Sequence, residues 1–313
     1  MTRSMRFTDK PTFDTATILT QGRRGHQEDS LALDFPEGAE VGFVVLGDGM
    51  GGHTSGEIAS KLVVAEVFRT LKRQSADPDL FESRIGEIFR EATENANVSV
   101  GEYTRSRPET RGMGTTLLSP VIVRDKLFWI SIGDSPLYIF RGNTLVRLNQ
   151  NHTLHGQYDY LVENDLLDPN RASIDHDDCL TSAIIGSQIA QIDCSDAPVA
   201  LHDEDILIAA SDGLQYLTDE EISDVLLQFQ QEPAAVIGDA LLSQVNALDD
   251  PDQDNVACCI VKVGLNSEVP LASSPAPKND SFAKTVESTT ILVATLQKAK
   301  HKTQCRVSMR RHH

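Results

Sequence analysis

The sequence predicts an α+β fold with antiparallel strand hairpins rather than a series of alternating βαβ units. Short apolar runs come first, then a pair of helical stretches, a strand meander, an irregular stretch, and again strands and helices. The chain has 313 residues, of which 40% are hydrophobic and 24% are charged. These values are typical of a globular protein with either one large domain and an appendage or about two domains.

Six apolar runs are predicted to be strands because they are short and rich in β-branched and aromatic residues. They are Val41–Leu46, Thr116–Val123, Leu127–Ile132, Leu137–Phe140, Ile206–Ala210 and Val256–Val263. The segments 124–126 and 141–143 are short enough to join neighbouring strands as antiparallel hairpins.

Four helices are predicted from apolar residues that recur with helical period. The first begins at Ser55, an N-cap residue, and its predicted shared face carries Ile58, Leu62, Ala65 and Phe68. The shared face of the second carries Phe81, Ile85, Ile88, Ala92 and Ala96. Two further helices are predicted over Asp219–Phe229 and near Pro233–Ala247.

The chain is predicted to divide into residues 1–264, a folded domain, and residues 265–313, a linker and basic tail. After Leu265 the composition shifts to Ser, Pro and Ala, which is typical of a linker. A short amphipathic helix is expected beyond it from Phe282, Val286, Val293 and Leu296. Two interpretations of the tail stay open: a solvated extension, or a docking or autoregulatory segment. Residues 150–200 are predicted to be a long loop with some helix over a site.

The charge distribution argues against nucleic-acid binding. Residues 1–264 contain 43 acidic and 20 basic side chains, whereas residues 265–313 contain three acidic and eight basic ones. A domain with this excess of negative charge repels the phosphate backbone of nucleic acids. No run approaches the roughly 18 apolar residues of a membrane span, and the first residues lack the apolar stretch of a signal peptide. Five cysteines without a CxxC pair favour reduced thiols, so we expect a cytoplasmic protein that binds no membrane.

Aspartates stand at the ends of several predicted strands. Asp48, Asp134 and Asp212 each follow an apolar run, Asp254 precedes the last one, and Glu28-Asp29 is a further acidic candidate. Taken singly, each aspartate is as readily a turn residue. Together at one sheet rim the carboxylates would repel one another unless cations lay between them. A set of oxygen ligands without His or Cys favours Mg²⁺ or Mn²⁺.

A dinucleotide-binding loop is the alternative for residues 47–52, which match GxGxxG between a strand and a helix. Asp48 inside the loop would face a pyrophosphate, and the element after the helix is another helix rather than a parallel strand. Glu66 stands at the distance expected for a ribose-binding acid but falls within the helix. These observations disfavour the dinucleotide hypothesis.

Several motifs occur in an order that resembles the metal-dependent serine/threonine protein phosphatases of the protein phosphatase 2C type, in the bacterial form. They are Arg24-Gly-His-Gln-Glu-Asp29, Gly47-Asp-Gly-Met-Gly-Gly-His53, Gly114-Thr-Thr116, Gly133-Asp-Ser135, Ser211-Asp-Gly-Leu214 and Asp254-Asn255. The resemblance covers about residues 13–264. It implies an antiparallel β-sandwich flanked by helix pairs, with two Mn²⁺ or Mg²⁺ ions at one edge.

By motif position, the resemblance implies a role for each acidic residue. Asp48 would bridge both metals and the carbonyl of Gly49 would bind one of them. Asp212 and Asp254 would hold one ion, and Asp29 the other ion or its waters. Catalysis would be carried by Asp48 and Asp212 together with the phosphate-binding arginine.

Three other positions complete the implied site. Arg24 corresponds to the arginine that binds the substrate phosphate, for which a planar bidentate donor is well shaped. Glu28 would support the metal ligands, and Asp134 would contribute to a third, weaker metal. Ser135-Pro136 replaces the usual Ser-Arg after Asp134, and Tyr216 replaces an aspartate, so the third metal stays open.

The resemblance implies hydrolysis of phosphoserine and phosphothreonine in proteins by a water or hydroxide that bridges the two ions. It also implies a Ser/Thr kinase, or its targets, as the partner in bacterial signalling. Met50 stands where some relatives place a histidine acid, so the proton donor is either water or a residue such as His152 or His155, and His53 is expected to be structural. A phosphatase restricted to one regulatory protein and an inactive binding module are the remaining alternatives.

Overall fold

The computed structural model describes residues 11–51, 55–163, 179–195 and 197–265. His53 and the predicted tail beyond residue 265 lie outside this part of the chain. The strands, in chain order, are β1 (Thr12–Thr20), β2 (Ser30–Asp34), β3 (Val41–Gly47), β4 (Gly49–Met50), β5 (Gly114–Thr115), β6 (Leu117–Val123), β7 (Lys126–Ile132), β8 (Leu137–Arg141), β9 (Thr144–Arg147), β10 (Asp193–Cys194), β11 (Val199–Ala200), β12 (Ile206–Ala210) and β13 (Val256–Gly264). The helices are α1 (Ser55–Gln74), α2 (Pro78–Ser83), α3 (Ile85–Ser106), α4 (Leu154–Glu163), α5 (Asp219–Phe229) and α6 (Ala234–Ala247).

Two antiparallel sheets pack face to face. One has the strand order β1-β13-β12-β8-β9, and the other has the order β10-β7-β6-β3-β2, with β11 also paired to β7. The predicted hairpin at residues 124–126 joins β6 to β7, and the one at residues 141–143 joins β8 to β9. The two sheets bury Leu46, Leu118, Leu207 and Val261 between them. Strand alternation places the next residues on the outer faces.

Helices cover both outer faces of the sandwich. The helices α1 and α3 pack on the sheet that contains β3, and α5 and α6 pack on the sheet that contains β13. Cys258 and Cys259 show this layering, since Cys258 lies under α5 and α6 and Cys259 lies between the sheets. Both thiols are fully buried, and burial raises the pKa of Cys258 to about 12. The predicted α+β sandwich flanked by helix pairs is confirmed.

The prediction of which residues form the apolar face of α1 is partly wrong. Phe68 is buried, but Ile58 and Leu62 are only half-buried and Ala65 is exposed. The buried side instead carries Ala59, Val63, Val67 and Leu71. The reason is that α1 lies between β2, β3 and α3, and its smaller side chains allow this close packing.

The second predicted helix is two helices. Asp77 caps α2 by accepting a hydrogen bond from the Leu80 N–H, and the chain leaves helical geometry at Arg84 before α3 begins. The face predicted for it is confirmed at Phe81 and Ile88 and along α3, whereas Ile85 is half-buried. The α5 bounds are as predicted, and a capping box between Thr218 and Glu221 fixes its start. In the described part of the chain, no helix is long and apolar enough to cross a membrane.

Candidate active site

The strand-end aspartates meet at one rim of the sandwich. Asp48 lies between β3 and β4, Asp212 opens a 3₁₀ turn that is separated from the end of β12 by one residue, and Asp254 is separated from β13 by one residue. Asp29 comes immediately before β2, and Asp134 follows β7. Antiparallel order places these particular strand ends on the same side, and electrostatic interactions link Asp48 to Asp29, Asp212 and Asp134.

Burial and mutual repulsion raise the pKa values of three of these carboxylates, Asp29, Asp48 and Asp212. Asp29 is 3% exposed, and burial, aided by the charges of Asp212 and Asp254, raises its pKa to about 8. Burial also raises the pKa of Asp48 well above its usual value, with Asp29 and Asp212 adding to the effect. The pKa of Asp212 is raised by burial and then by Asp254. Concentrated negative charge of this kind is stabilised by a cation.

The donor set fits divalent metal ions. Buried oxygens of Glu28 (Oε1) and Asp29 (Oδ1) have no hydrogen-bond partner among the described residues, although buried acceptors are normally satisfied. The side chains do not form a closed cage, because no three His, Cys, Asp or Glu residues in the described ranges stand at metal-holding separations. The clustered carboxylate oxygens of the rim nonetheless match the preference of Mg²⁺ and Mn²⁺ for oxygen ligands.

The backbone around Asp48 is held from two sides. The N–H of Asp48 donates to Thr116 Oγ1 at 3.0 Å, and the N–H of Thr116 donates to the carbonyl of Asp48 at 2.9 Å. A Cβ added at Gly49 would lie 2.2 Å from the carbonyl oxygen of Gly56 and 2.6 Å from that of Glu28. Only glycine therefore fits after Asp48, as the close approach of the chains requires.

Arg24 lies at the edge of the acidic rim, where its side chain is 55% exposed. One guanidinium nitrogen is 2.7 Å from Asp254 Oδ2. The neighbouring Arg23 reaches outward to Asp249 instead, at 2.5 Å. Arg24 thus presents a guanidinium between solvent and the carboxylates, which is where an anionic substrate would approach.

The positions around Asp134 and Tyr216 differ from the family pattern, and the structure shows what replaces it. Arg147 donates to the carbonyl of Asp134 at 2.6 Å, and Ser135 Oγ is 2.8 Å from Thr116 Oγ1. The hydroxyl of Tyr216 donates to the carbonyl of Asp252 at 2.8 Å. A third metal at Asp134 stays a prediction.

No described hydrogen bond joins either histidine candidate for proton donation to a carboxylate of the rim, although His152 contacts Gly133, the residue before Asp134. His152 is 2% exposed, its Nδ1 accepts from the N–H of Gly133 at 3.1 Å, and burial lowers its pKa. These features suit a structural residue. His155 lies on α4, where its Nε2 is 3.4 Å from Asp159. Met50 pairs with Gly114 and is half-buried.

Two buried hydroxyl residues, Thr116 and Ser211, support the site without any signal in the sequence that gave them a role. Thr116 holds Asp48, as described above. Ser211 Oγ donates to Asp29 Oδ2 at 2.8 Å and accepts from the N–H of Ala257 at 2.9 Å. Both residues stand in the quoted motifs, but only the tertiary structure shows which aspartate each one holds.

The dinucleotide alternative has no support in the strand pairing. The strand before the glycine-rich loop, β3, pairs antiparallel with both β2 and β6. A dinucleotide-binding unit needs a parallel neighbour reached through a crossover helix.

Comparison with known proteins identifies the family. The sequence profile of the family described as Protein phosphatase 2C matches residues 22–232. The serine/threonine phosphatase stp of Listeria welshimeri is 25% identical over 243 residues, which cover 77% of this chain and 92% of the relative.

Two solved structures agree with this assignment. The serine/threonine phosphatase of S. agalactiae is 27% identical, with a TM-score of 0.67, over 80% of this chain and 99% of that one. The catalytic domain of the phosphatase PstP in complex with two manganese ions is 25% identical, with a TM-score of 0.64, over 81% and 99% of the two chains. The chain therefore belongs to the protein phosphatase 2C family and is a serine/threonine protein phosphatase of the bacterial type.

Proposed function

We propose that this protein hydrolyses phosphoserine and phosphothreonine in proteins with two divalent ions, Mn²⁺ or Mg²⁺, at the acidic rim. The observation that carries the proposal is the convergence of buried, mutually repelling carboxylates beside an exposed arginine. The manganese ions in the related PstP structure support the choice of metal.

The residues that would hold the ions are Asp48, the carbonyl of Gly49, Asp212, Asp254 and Asp29. Bound ions supply activation of the attacking water and neutralisation of the phosphate charge. Phosphate-monoester hydrolysis requires up to about 10²¹-fold acceleration, far more than the roughly 10²–10⁴ of one general base. Carboxylates acting without metal ions cannot supply the acceleration that this hydrolysis requires.

The chain's own residues bind and orient the substrate. Arg24 is placed to donate two hydrogen bonds to the phosphate, because its guanidinium is exposed at the rim and fixed at one nitrogen by Asp254. Thr116 and Ser211 keep Asp48 and Asp29 in place. In the reaction, the water oxygen joins phosphorus, the bond from phosphorus to the serine or threonine oxygen breaks, and that oxygen takes up a proton.

We further propose that residues 1–264 form the catalytic domain and residues 265–313 an extension. The domain needs its last strand, since β13 pairs with both β1 and β12. A Ser/Thr kinase or its targets as partner, and a cytoplasmic location, remain part of the proposal. Fully buried thiols at Cys258 and Cys259 suit a reducing compartment.

The test is hydrolysis of a phosphothreonine peptide and of p-nitrophenyl phosphate with Mn²⁺, Mg²⁺ or EDTA. We expect phosphate release with either metal, none in EDTA, and none from Asp212→Asn. Asp205→Asn is the matched control, because Asp205 is also buried but lies at the other end of β12, where it pairs with Arg141 at 2.6 Å. Turnover in EDTA would contradict the two-metal mechanism.

A folded protein that binds Mn²⁺ but releases no phosphate from either substrate would point to a phosphatase with one protein partner. Failure to bind Mn²⁺ at all, measured by calorimetry, would leave the inactive binding module.

A further inference from the structure

We propose that Asn255 is a positioning residue that holds the phosphate-binding loop, residues 21–28, against the metal-binding edge. This inference rests on the proposed function, because Arg24 lies in that loop. Asn255 follows Asp254 directly and is 5% exposed.

The side chain of Asn255 makes three hydrogen bonds, all to the backbone of the loop. Its Nδ2 donates to the carbonyls of Gln21 and His26, each at 2.9 Å. Its Oδ1 accepts from the N–H of Glu28 at 2.7 Å. One amide group therefore fixes the loop at its beginning and at its end, on either side of Arg24.

The backbone of Asn255 contacts the carboxylates in turn. Its N–H donates to Asp254 Oδ1 at 2.7 Å, while Asp254 Oδ2 accepts from Arg24. Its carbonyl oxygen would lie 1.9 Å from a Cβ at Gly213, so the chain after Asp212 passes directly against it. Asn255 thus lies between the arginine loop, Asp254 and Gly213, the residue that follows Asp212.

Further contacts hold the same loop beside residues 253 and 254, next to Asn255. Gly22 has φ +57° and a Cβ there would lie 2.1 Å from the carbonyl oxygen of Asp254, so the loop approaches residue 254 as closely as a backbone can. The N–H of Arg23 donates to the carbonyl of Gln253 at 2.9 Å, and Gln21 Nε2 donates to the carbonyl of Arg24 at 2.6 Å. The Arg24 side chain is 55% exposed and contacts Asp254 at one nitrogen, so the position of its guanidinium depends on the loop backbone that carries it.

No other side-chain type satisfies these three groups at once. Two donors and one acceptor on a short side chain are the property of asparagine. Aspartate would keep the acceptor for Glu28 but would place two carbonyl oxygens against a carboxylate. Alanine would leave the carbonyls of Gln21 and His26 and the N–H of Glu28 without their partner.

The experiment compares full-length Asn255→Ala with Asn149→Ala. Asn149 is a matched control because it is 6% exposed and also makes three hydrogen bonds of 2.8–2.9 Å, to the N–H of Leu137, to Ser131 Oγ and to the carbonyl of Ser135, besides a longer one from Arg147 at 3.4 Å. We expect both variants to lower the melting temperature. A purely structural role would leave them alike in every other respect.

Kinetics with Mn²⁺ separates the two variants. Displacing a substrate-positioning group by about 1 Å costs on the order of 10²-fold, so we expect Asn255→Ala to raise KM for the phosphothreonine peptide by about tenfold or more. The inhibition constant of inorganic phosphate should rise with it, whereas kcat should change less. Asn149→Ala should leave both constants near the wild-type values. Equal KM and phosphate inhibition in the two variants would overturn the proposal.

Hydrogen exchange without metal gives a second measurement that needs no activity. We expect faster exchange of amides 21–28 in Asn255→Ala and not in Asn149→Ala. Asn255→Asp, which preserves side-chain size, should show the same increase if the alanine variant does not fold. Unchanged exchange in both Asn255 variants would refute the proposal. An inactive wild-type protein would contradict the proposed function, and the exchange result would still decide the role of Asn255.

Discussion

The buried carboxylate of Asp29 should make the metal-free protein less stable as pH rises, and Asp29→Asn should remove that effect. The pKa of Asp29 is raised from 3.8 to about 8, chiefly by burial. Between these values the folded protein holds a proton that the unfolded chain releases. The free energy of unfolding therefore falls with increasing pH, by about 1.4 kcal/mol per pH unit for one proton.

The loss expected from Asp29 alone is roughly 3 kcal/mol between pH 5 and pH 7, a large fraction of the usual 5–15 kcal/mol. Asparagine is close in shape, keeps an acceptor for Ser211 Oγ and carries no charge at any of these pH values. Its free energy of unfolding should therefore decline less steeply over the same range.

Urea unfolding in EDTA at several pH values, followed by circular dichroism, measures both slopes. If the free energy of unfolding falls equally steeply with pH in the wild type and in Asp29→Asn, the reasoning about this carboxylate is refuted. Mn²⁺ provides a control, because its ligands must lose their protons. At 100 times its Kd it should stabilise the wild-type protein by about 2.7 kcal/mol, and the metal should bind more weakly at pH 5.

Three further substitutions follow from the same contacts. Asp48→Asn should lower kcat on the phosphothreonine peptide by at least on the order of 10³-fold while circular dichroism shows a folded protein, and an unfolded variant would make Asp48 structural. Ser211→Ala should weaken Mn²⁺ binding about 10- to 100-fold in calorimetry, because Asp29 loses its donor, and unchanged affinity would contradict this role. Gly49→Ala should lower the free energy of unfolding by about 1–3 kcal/mol in urea, since its Cβ would overlap the carbonyl of Gly56; wild-type stability would show that this backbone can move.

Local sequence pattern predicted the central part of the fold and missed its edges. Central strands such as β6 and β12 are continuous apolar runs, whose character needs no knowledge of the partner strand. The β1 strand is an edge strand with mostly half-buried residues and several threonines, so its apolar signal is weak. What makes it a strand is its pairing with β13 over all nine residues, which no local pattern contains.

The position of the acidic residues at strand ends could be predicted from the local sequence. The contacts that hold these residues could not. Asp48 and Asp212 stand next to apolar runs, so their place at a sheet rim followed from the strand prediction. Ser211 and Asn255 act across the fold, on partners 182 and 227 residues away. Their roles depend on which strands become neighbours, and the sequence alone does not state that.

The pairing of β1 with β13 explains why the site requires almost the whole domain. It brings the arginine loop, which follows β1, against Asp254 and Asn255, which precede β13. Asp48 reaches the same rim from the other sheet, so the carboxylates come together only when the two sheets have packed. The repulsion between these carboxylates lowers the stability of the folded state, and the packing of the two sheets offsets it. Bound cations would reduce this repulsion. Stability and metal binding should therefore be coupled in this protein, with variants that weaken the β1–β13 pairing requiring more Mn²⁺ for the same activity.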